Sequence, residues 1–133
     1  MATLVVDFST PQAAIQSLES AYAQRDIEAA VAAKGFDEEA RLMLQKINPE
    51  LAGDPEVLKK TAQVLELSFR KQIKEKGFPD FANIKCSLGK PESISPTLVK
   101  VIETCVFADG RTSVQALHAF KGAQGWRVII IPS

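Results

Sequence analysis

The sequence predicts a single α+β domain over residues 1–133, in which an N-terminal helical half packs on a C-terminal antiparallel β-meander. Helix caps and apolar residues at three- and four-residue spacing occur only before Gly77. After Phe78-Pro79-Asp80 the apolar residues alternate with polar ones, which is typical of strands. A chain of this length is large enough to bury one core but leaves no room for a second domain.

Four helices are predicted from their caps and their apolar stripes. Thr10-Pro11 and Asp54-Pro55 each combine an N-cap residue with a proline at the first helical position, where its missing N–H has no cost. Gly35 and Gly77 end helices because they lack the Cβ that opposes a left-handed conformation. The predicted helices span residues 11–25, 27–34, 37–47 and 55–76.

Four strands are predicted in the second half of the chain, over residues 82–88, 98–108, 111–121 and 126–131. The dipeptide Asp109-Gly110 favours a two-residue hairpin turn with both residues at positive φ. This turn places Ala108 opposite Arg111 and fixes the register of the two longest strands. The resulting inward pairs are Cys105 with Val114, Glu103 with Ala116, and Val101 with His118, and the same face holds Phe107 and Phe120.

The last hairpin is predicted from the cost of burying charge. A five-residue turn over residues 121–125 pairs Phe120 with Trp126 and points Trp126, Val128 and Ile130 inward. A four-residue turn would instead bury the guanidinium of Arg127 without a partner, which costs more. We therefore expect Trp126 to belong to the inner face.

The composition excludes several classes of function. The 16 basic and 16 acidic residues cancel, so the chain has no positive field for binding nucleic acid. It has no apolar run long enough to cross a membrane and no secretory leader, which predicts a cytoplasmic protein. Cys86 and Cys105 have no metal-ligand spacing and are expected to be reduced, buried thiols. No motif for a metal or a cofactor is present, so neither is expected.

Glu103 and His118 form the sharpest chemical hypothesis. In the predicted register they are diagonal neighbours on the inner face, close enough for their side chains to meet. A carboxylate beside an imidazole in a dry cavity is suited to general acid–base catalysis, because the pKa of histidine lies near neutrality. The alternative is a buried pair that is purely structural, since neither group is buried without a partner at low cost.

Several segments together resemble the nuclear transport factor 2-like superfamily. These are Thr10-Pro11 at the start of a helix, Tyr22 near its end, the step Arg25-Asp26-Ile27-Glu28, and the closing Gly125-Trp126-Arg127-Val128. The resemblance implies a cystatin-like cone, with the helices on the concave face of a curved antiparallel sheet. The chain departs from the family where residues 37–47 read as helix, since many members have a short strand or hairpin there.

A cone of this kind would make the inner face the lining of a pocket. The expected lining residues are Tyr22, Val101, Cys105, Phe107, Val114, Phe120 and Trp126. Similar folds include ketosteroid isomerase and polyketide cyclases as well as proteins without activity, so the fold alone does not select a function.

Three functions remain open on the sequence. The first is a pocket that binds a small, largely apolar metabolite. The second is a cofactor-free lyase, isomerase or cyclase that uses Glu103 and His118 for proton transfer. The third is a protein-interaction or immunity-type domain, including a homodimer formed through Ile102, Val106 and Leu117 on the outer face of the sheet.

Overall fold

The computed structural model describes residues 4–81 and 83–131 and confirms the predicted fold class. Four helices precede a curved antiparallel sheet and pack against it. The helices are α1 (Pro11–Ala23), α2 (Ile27–Ala33), α3 (Phe36–Ile47) and α4 (Pro55–Lys76), with a 3-10 turn at Leu51–Gly53. The strands are β1 (Lys85–Leu88), β2 (Glu92–Ser95), β3 (Leu98–Val106), β4 (Thr112–Gly122) and β5 (Gly125–Ile129). The predicted start of the first strand, Ala82, lies outside the described residues.

The caps predicted at Thr10, Asp54 and Gly77 form as expected, whereas Gly35, with φ of −101°, does not take the left-handed conformation predicted for it. The Thr10 hydroxyl oxygen accepts a hydrogen bond from the backbone N–H of Ala13 at 3.0 Å. Asp54 caps α4 in the same way, accepting from the N–H of Glu56 at 3.0 Å. Gly77 follows α4 with φ of 80°, the conformation for which glycine is favoured. α3 begins at Phe36, one residue before the predicted start, after a Gly35 that has no side chain for capping.

β3 is the central strand, and the sheet order is β1–β3–β4–β5, with β2 pairing beside β1 on the same edge of β3. The sequence predicted a loop where β2 forms. β2 lies between Pro91 and Pro96 and pairs Glu92 with Lys100, as an edge strand. Because both prolines flank the strand, their missing N–H groups do not interrupt the ladder.

The predicted register of β3 and β4 is wrong by one residue. Glu103 faces Gln115, and Val101 faces Leu117. The N–H of Phe107 donates to the carbonyl of Arg111 at 2.9 Å. The loop between the strands therefore has three residues, 108–110, instead of the predicted two. Only Gly110 in this loop takes a positive φ, of 89°, so the Asp-Gly pair does not form the two-residue turn.

This shift turns every side chain of β4 to the opposite face, because the side-chain period of a strand is two. Leu117, which was predicted on the outer face, packs against the core, and Val114, which was predicted inside, is 65% exposed.

The last hairpin also differs from the prediction. Gly122 pairs with Gly125 across a short turn, so the partner of Trp126 is Lys121 rather than Phe120. Gly125 has φ of 107°, and a Cβ there would lie 2.5 Å from the carbonyl oxygen of Phe8. Glycine is therefore required for this close approach. Trp126 and Val128 still pack into the core as expected, whereas Ile130 is 68% exposed.

The main core lies between α1, α2 and the inner face of β3, β4 and β5. Its largest members are Ile15, Leu18, Val99, Val101 and Val128. Five alanines are fully buried among them, and their small side chains allow the helices and strands to approach closely: Ala14, Ala21, Ala30, Ala33 and Ala119.

α4 lies against α3, where Ala62 packs with Phe36 and Ala40 in a second cluster. In the described part of the chain, no helix has both the length and the apolar composition needed to cross a membrane.

The outer edge of β5 is closed by the helical half of the chain. The N–H of Trp126 donates to the carbonyl of Phe8 at 2.8 Å, and the N–H of Gly35 donates to the carbonyl of Val128 at 2.9 Å. Immediately after the end of β5, the N–H of Ile130 donates to Oε2 of Glu39 at 3.1 Å. The same carboxylate oxygen binds Nζ of Lys34 at 2.6 Å in a buried ion pair. These bonds satisfy an edge that would otherwise be open.

Cys86 and Cys105 form a disulfide, so the prediction of two reduced thiols is wrong. The cysteines face each other directly across β1 and β3, an arrangement that their sequence spacing does not reveal. Disulfides persist mainly in oxidising compartments, so this bond argues against the predicted cytoplasmic location. The compartment stays a prediction.

We expect Lys34→Met to lower the free energy of unfolding by about 3–5 kcal/mol, because it leaves the Glu39 carboxylate buried without its cation. Adding Glu39→Gln should recover part of this loss, since the amide is neutral and still accepts from Ile130. Urea denaturation measures both. Arg111→Met, which breaks an exposed pair with Asp109, is the control and should cost less than about 1 kcal/mol. Equal losses for the single and double variants would contradict this account.

Removing the disulfide with Cys86→Ser and Cys105→Ser together should lower the free energy of unfolding by about 3 kcal/mol, because the bond closes a loop between residues 19 apart. In the unmodified chain, a reducing phosphine should lower the free energy of unfolding by the same amount. Alkylation of both cysteines in the oxidised, unfolded protein, detected by mass spectrometry, would show that the bond does not form.

Candidate functional site

A cavity of about 370 Å³ lies between α1 and the inner face of the sheet. α1 supplies one wall, and β3, β4 and the end of β5 supply the others. Its apolar lining consists mainly of Ile15, Leu18, Phe81, Leu117, Val128 and Ile129. Its polar lining consists of Glu19, Tyr22, Lys34, Glu103, Gln115 and His118. A mostly apolar cavity with a few convergent polar groups is the usual form of a small-molecule site.

Glu103 is the most deeply buried polar group in this cavity, with 1% of its surface exposed. It points inward because it alternates with Val101 and Cys105 along β3. Oε1 accepts a hydrogen bond from Nε2 of Gln115 at 2.8 Å. Among the described residues, no N–H or hydroxyl group donates to Oε2, and the carboxyl of Glu19 is the group in hydrogen-bond contact with Glu103 from α1. A buried carboxylate oxygen without a donor is unfavourable, so Oε2 requires either the proton of Glu19 or a donor that a ligand brings.

Glu19 faces Glu103 from α1. The pKa of Glu19 is raised to about 8, first by burial and then by the hydrogen bond and the negative charge of Glu103. Two carboxylates in hydrogen-bond contact cannot both ionise easily, so at neutral pH they share one proton. The protonated carboxyl of Glu19 is then a donor to Glu103, and the pair carries a single negative charge.

Tyr22 follows Glu19 on the same face of α1, and its ring lies nearly parallel to that of Phe81, with the centroids 6.4 Å apart. The pKa of Tyr22 is raised to about 12, first by burial and then by the negative charges of Glu19 and Glu39. The phenol therefore remains protonated near neutral pH.

Two basic residues border the cavity, and neither pairs with Glu19 or Glu103. Lys34 is buried and holds Glu39 at 2.6 Å, so its charge is already matched. Burial, followed by the charge of Lys100, lowers the pKa of His118, which keeps the imidazole neutral near pH 7. Among residues 4–81 and 83–131, neither Glu19 nor Glu103 forms an ion pair with a basic side chain.

The predicted pair of Glu103 and His118 does not form. Glu103 points into the cavity and its hydrogen bond goes to Gln115, whereas His118 borders the cavity from β4 but pairs with Lys100, on the face of the sheet opposite to Val101 and Leu117. The one-residue error in register is the reason. Glu19 takes the place that the sequence assigned to His118.

The other predicted lining residues lie in several places. Tyr22 lines the cavity, whereas Val101 and Trp126 belong to the adjoining core. Cys105 is buried in the disulfide beside Glu103. The remaining three predicted residues lie farther from it: Phe107 lies under the guanidinium of Arg111, Phe120 borders clefts against α3 and α4, and Val114 is exposed.

The sequence did not single out Glu19, Gln115 or Phe81. Glu19 lies at helical spacing between Ile15 and Tyr22, so it shares the face of α1 that they define. An acidic residue on this otherwise apolar face could have identified Glu19 as a site residue. Gln115 required the correct register, and Phe81 precedes the sheet in a segment without periodicity.

Comparisons with known proteins identify no relative. No protein-family model, no curated protein and no solved structure matches the chain.

Stability should fall as the pH rises from about 5 to about 8, because the folded chain retains a proton on Glu19 that the unfolded chain releases near its ordinary pKa. His118 acts in the opposite direction at the acidic end, since its pKa is lowered by folding. Glu19→Gln removes only the first effect. We therefore expect the free energy of unfolding of this variant, relative to the unmodified chain, to increase with pH in urea denaturation. A constant difference between pH 5.5 and 8 would contradict the shared proton.

Proposed function

We propose that the protein binds a small, largely apolar metabolite in the cavity between α1 and the sheet. Oε2 of Glu103 carries this proposal, since it is a buried acceptor inside a space of about 370 Å³ and no N–H or hydroxyl group of the described residues donates to it. A purely structural carboxylate would have all its lone pairs satisfied at lower cost. The apolar walls supply the binding free energy, and the polar groups orient the ligand.

A second candidate function is proton transfer without a cofactor, as in a lyase, isomerase or cyclase. The observation that favours it is the pKa of Glu19, about 8, which suits a group that gains and loses a proton near neutral pH. In this version Glu19 and Glu103 replace the Glu103 and His118 pair expected from the sequence. Conversion of a bound compound, rather than binding alone, distinguishes this function from the first.

Two expectations from the sequence remain proposals. Membership of the nuclear transport factor 2-like superfamily rests on the sequence signals alone. A homodimer through the outer face of the sheet would use Ile102, Val106 and Val114, since Leu117 lies on the inner face.

The binding function is tested with the neutral fluorescent probe N-phenyl-1-naphthylamine, whose emission increases in apolar surroundings. We expect saturable binding to one site per chain. Leu117→Trp should reduce the affinity at least about tenfold, because the larger side chain fills the cavity. Val114→Trp is the matched control, since it places the same side chain on the outer face of the same strand. Failure of the unmodified chain to bind the probe saturably, or equal loss in both variants, would argue against the cavity.

A further inference from the structure

The cavity is acidic at its polar end and apolar elsewhere, which restricts the chemistry of what it binds. Glu103 and Glu19 meet there without a basic partner among the described residues. Glu103 Oε2 is buried and accepts from no N–H or hydroxyl group of the described residues, so the proton of Glu19 is the donor available beside it. A ligand that replaces this proton must bring an N–H or O–H group of its own.

We infer that the ligand carries a protonated amine, which donates to Oε2 of Glu103 beside Glu19 while its apolar body lies against Tyr22 and Phe81. This inference rests on the proposed function and names the class of ligand for the same cavity. A protonated amine is favoured over a hydroxyl because it adds a positive charge to a hydrogen bond at a carboxylate.

The charged groups around the pair support a cation rather than an anion or a neutral molecule. Lys34, at the end of α2, is held by Glu39 of α3, so its charge does not reach the pair uncompensated. His118 on β4 is kept neutral by burial and by Lys100 on β3. The pair itself retains one negative charge when it shares a proton. An anionic ligand would therefore be repelled at this end.

The aromatic side chains complete the site for such a ligand. Tyr22 and Phe81 stack with an angle of 18° between their planes and form part of the wall beside Glu19. Aromatic surfaces attract organic cations and also cover the apolar carbon atoms next to an amine. A hydrated metal ion would gain little from these walls. In the oxidised chain, the sulfurs of Cys86 and Cys105, which lie within 4.8 Å of the Glu103 carboxylate, are bonded to each other.

Binding of an amine should be linked to the proton on Glu19. A positive charge beside the two carboxylates favours their ionised forms and lowers the pKa of Glu19 from about 8. Affinity for the amine should therefore increase severalfold from pH 6.5 to pH 8.5, with release of a proton. Glu19→Gln should retain the amine preference but lose this pH dependence.

Three probes of the same size test the inference in competition with N-phenyl-1-naphthylamine at pH 6.5: 2-phenylethylamine, 2-phenylethanol and phenylacetate. We expect the amine to bind about tenfold or more tightly than the alcohol, and the acid to bind most weakly. Glu103→Gln should abolish the difference between amine and alcohol. Alcohol binding by this variant shows that its cavity is folded. Glu92→Gln, at an exposed acid paired with Lys100 on the sheet edge, should leave the difference unchanged.

The outcomes separate the two proposals. Equal binding of the amine and the alcohol, or an amine preference that survives Glu103→Gln, would overturn the amine inference and leave the apolar cavity standing. Absence of binding by all three compounds and by the fluorescent probe would overturn the proposed function itself.

Discussion

The carboxylate of Glu39, which forms a buried ion pair with Lys34, links the helical half of the chain to the sheet. The pair lies where α2 gives way to α3, and the carboxylate also accepts the backbone N–H of Ile130 beyond β5. Without this carboxylate, the end of the sheet would expose an unpaired donor and the lysine would be buried alone. The bond between Gly35 and Val128 reinforces the same junction. The Glu39 carboxylate therefore helps to attach the helices to the end of β5, and its burial is tolerable only because Lys34 pairs with it.

The cavity is a consequence of this attachment. β5 is held by the α2–α3 junction, α1 packs across β5, β4 and β3, and a space remains between α1 and the strands. Lys34 borders that space, but its charge is committed to Glu39. The acidic pair at the other side is left without a cation of its own. The same ion pair that stabilises the fold thus contributes to the negative character of the site.

β3 connects the site to the sheet edge. Alternation along this strand places Val101 in the core, Glu103 in the cavity and Cys105 in the disulfide, all on one face. The disulfide ties β1 to the strand that carries Glu103, so the position of the carboxylate is restrained from both neighbouring strands. A rigid strand is better suited than a loop to hold a polar group in a fixed orientation.

The sequence by itself determined the fold class, the four helices and the central strands, because caps, proline positions and apolar periodicity act over a few residues. Thr10, Asp54 and Gly77 illustrate this, since each is interpretable from its immediate neighbours. The sequence also placed Glu103 and Tyr22 at one cavity, but it wrongly paired Glu103 with His118. Only the tertiary structure decided which groups meet. Three contacts depend on strand register and on the approach of distant segments: the Glu19–Glu103 pair, the disulfide and the Lys34–Glu39 ion pair. One additional residue in the loop between Phe107 and Arg111 was enough to turn the β4 side chains to the opposite face.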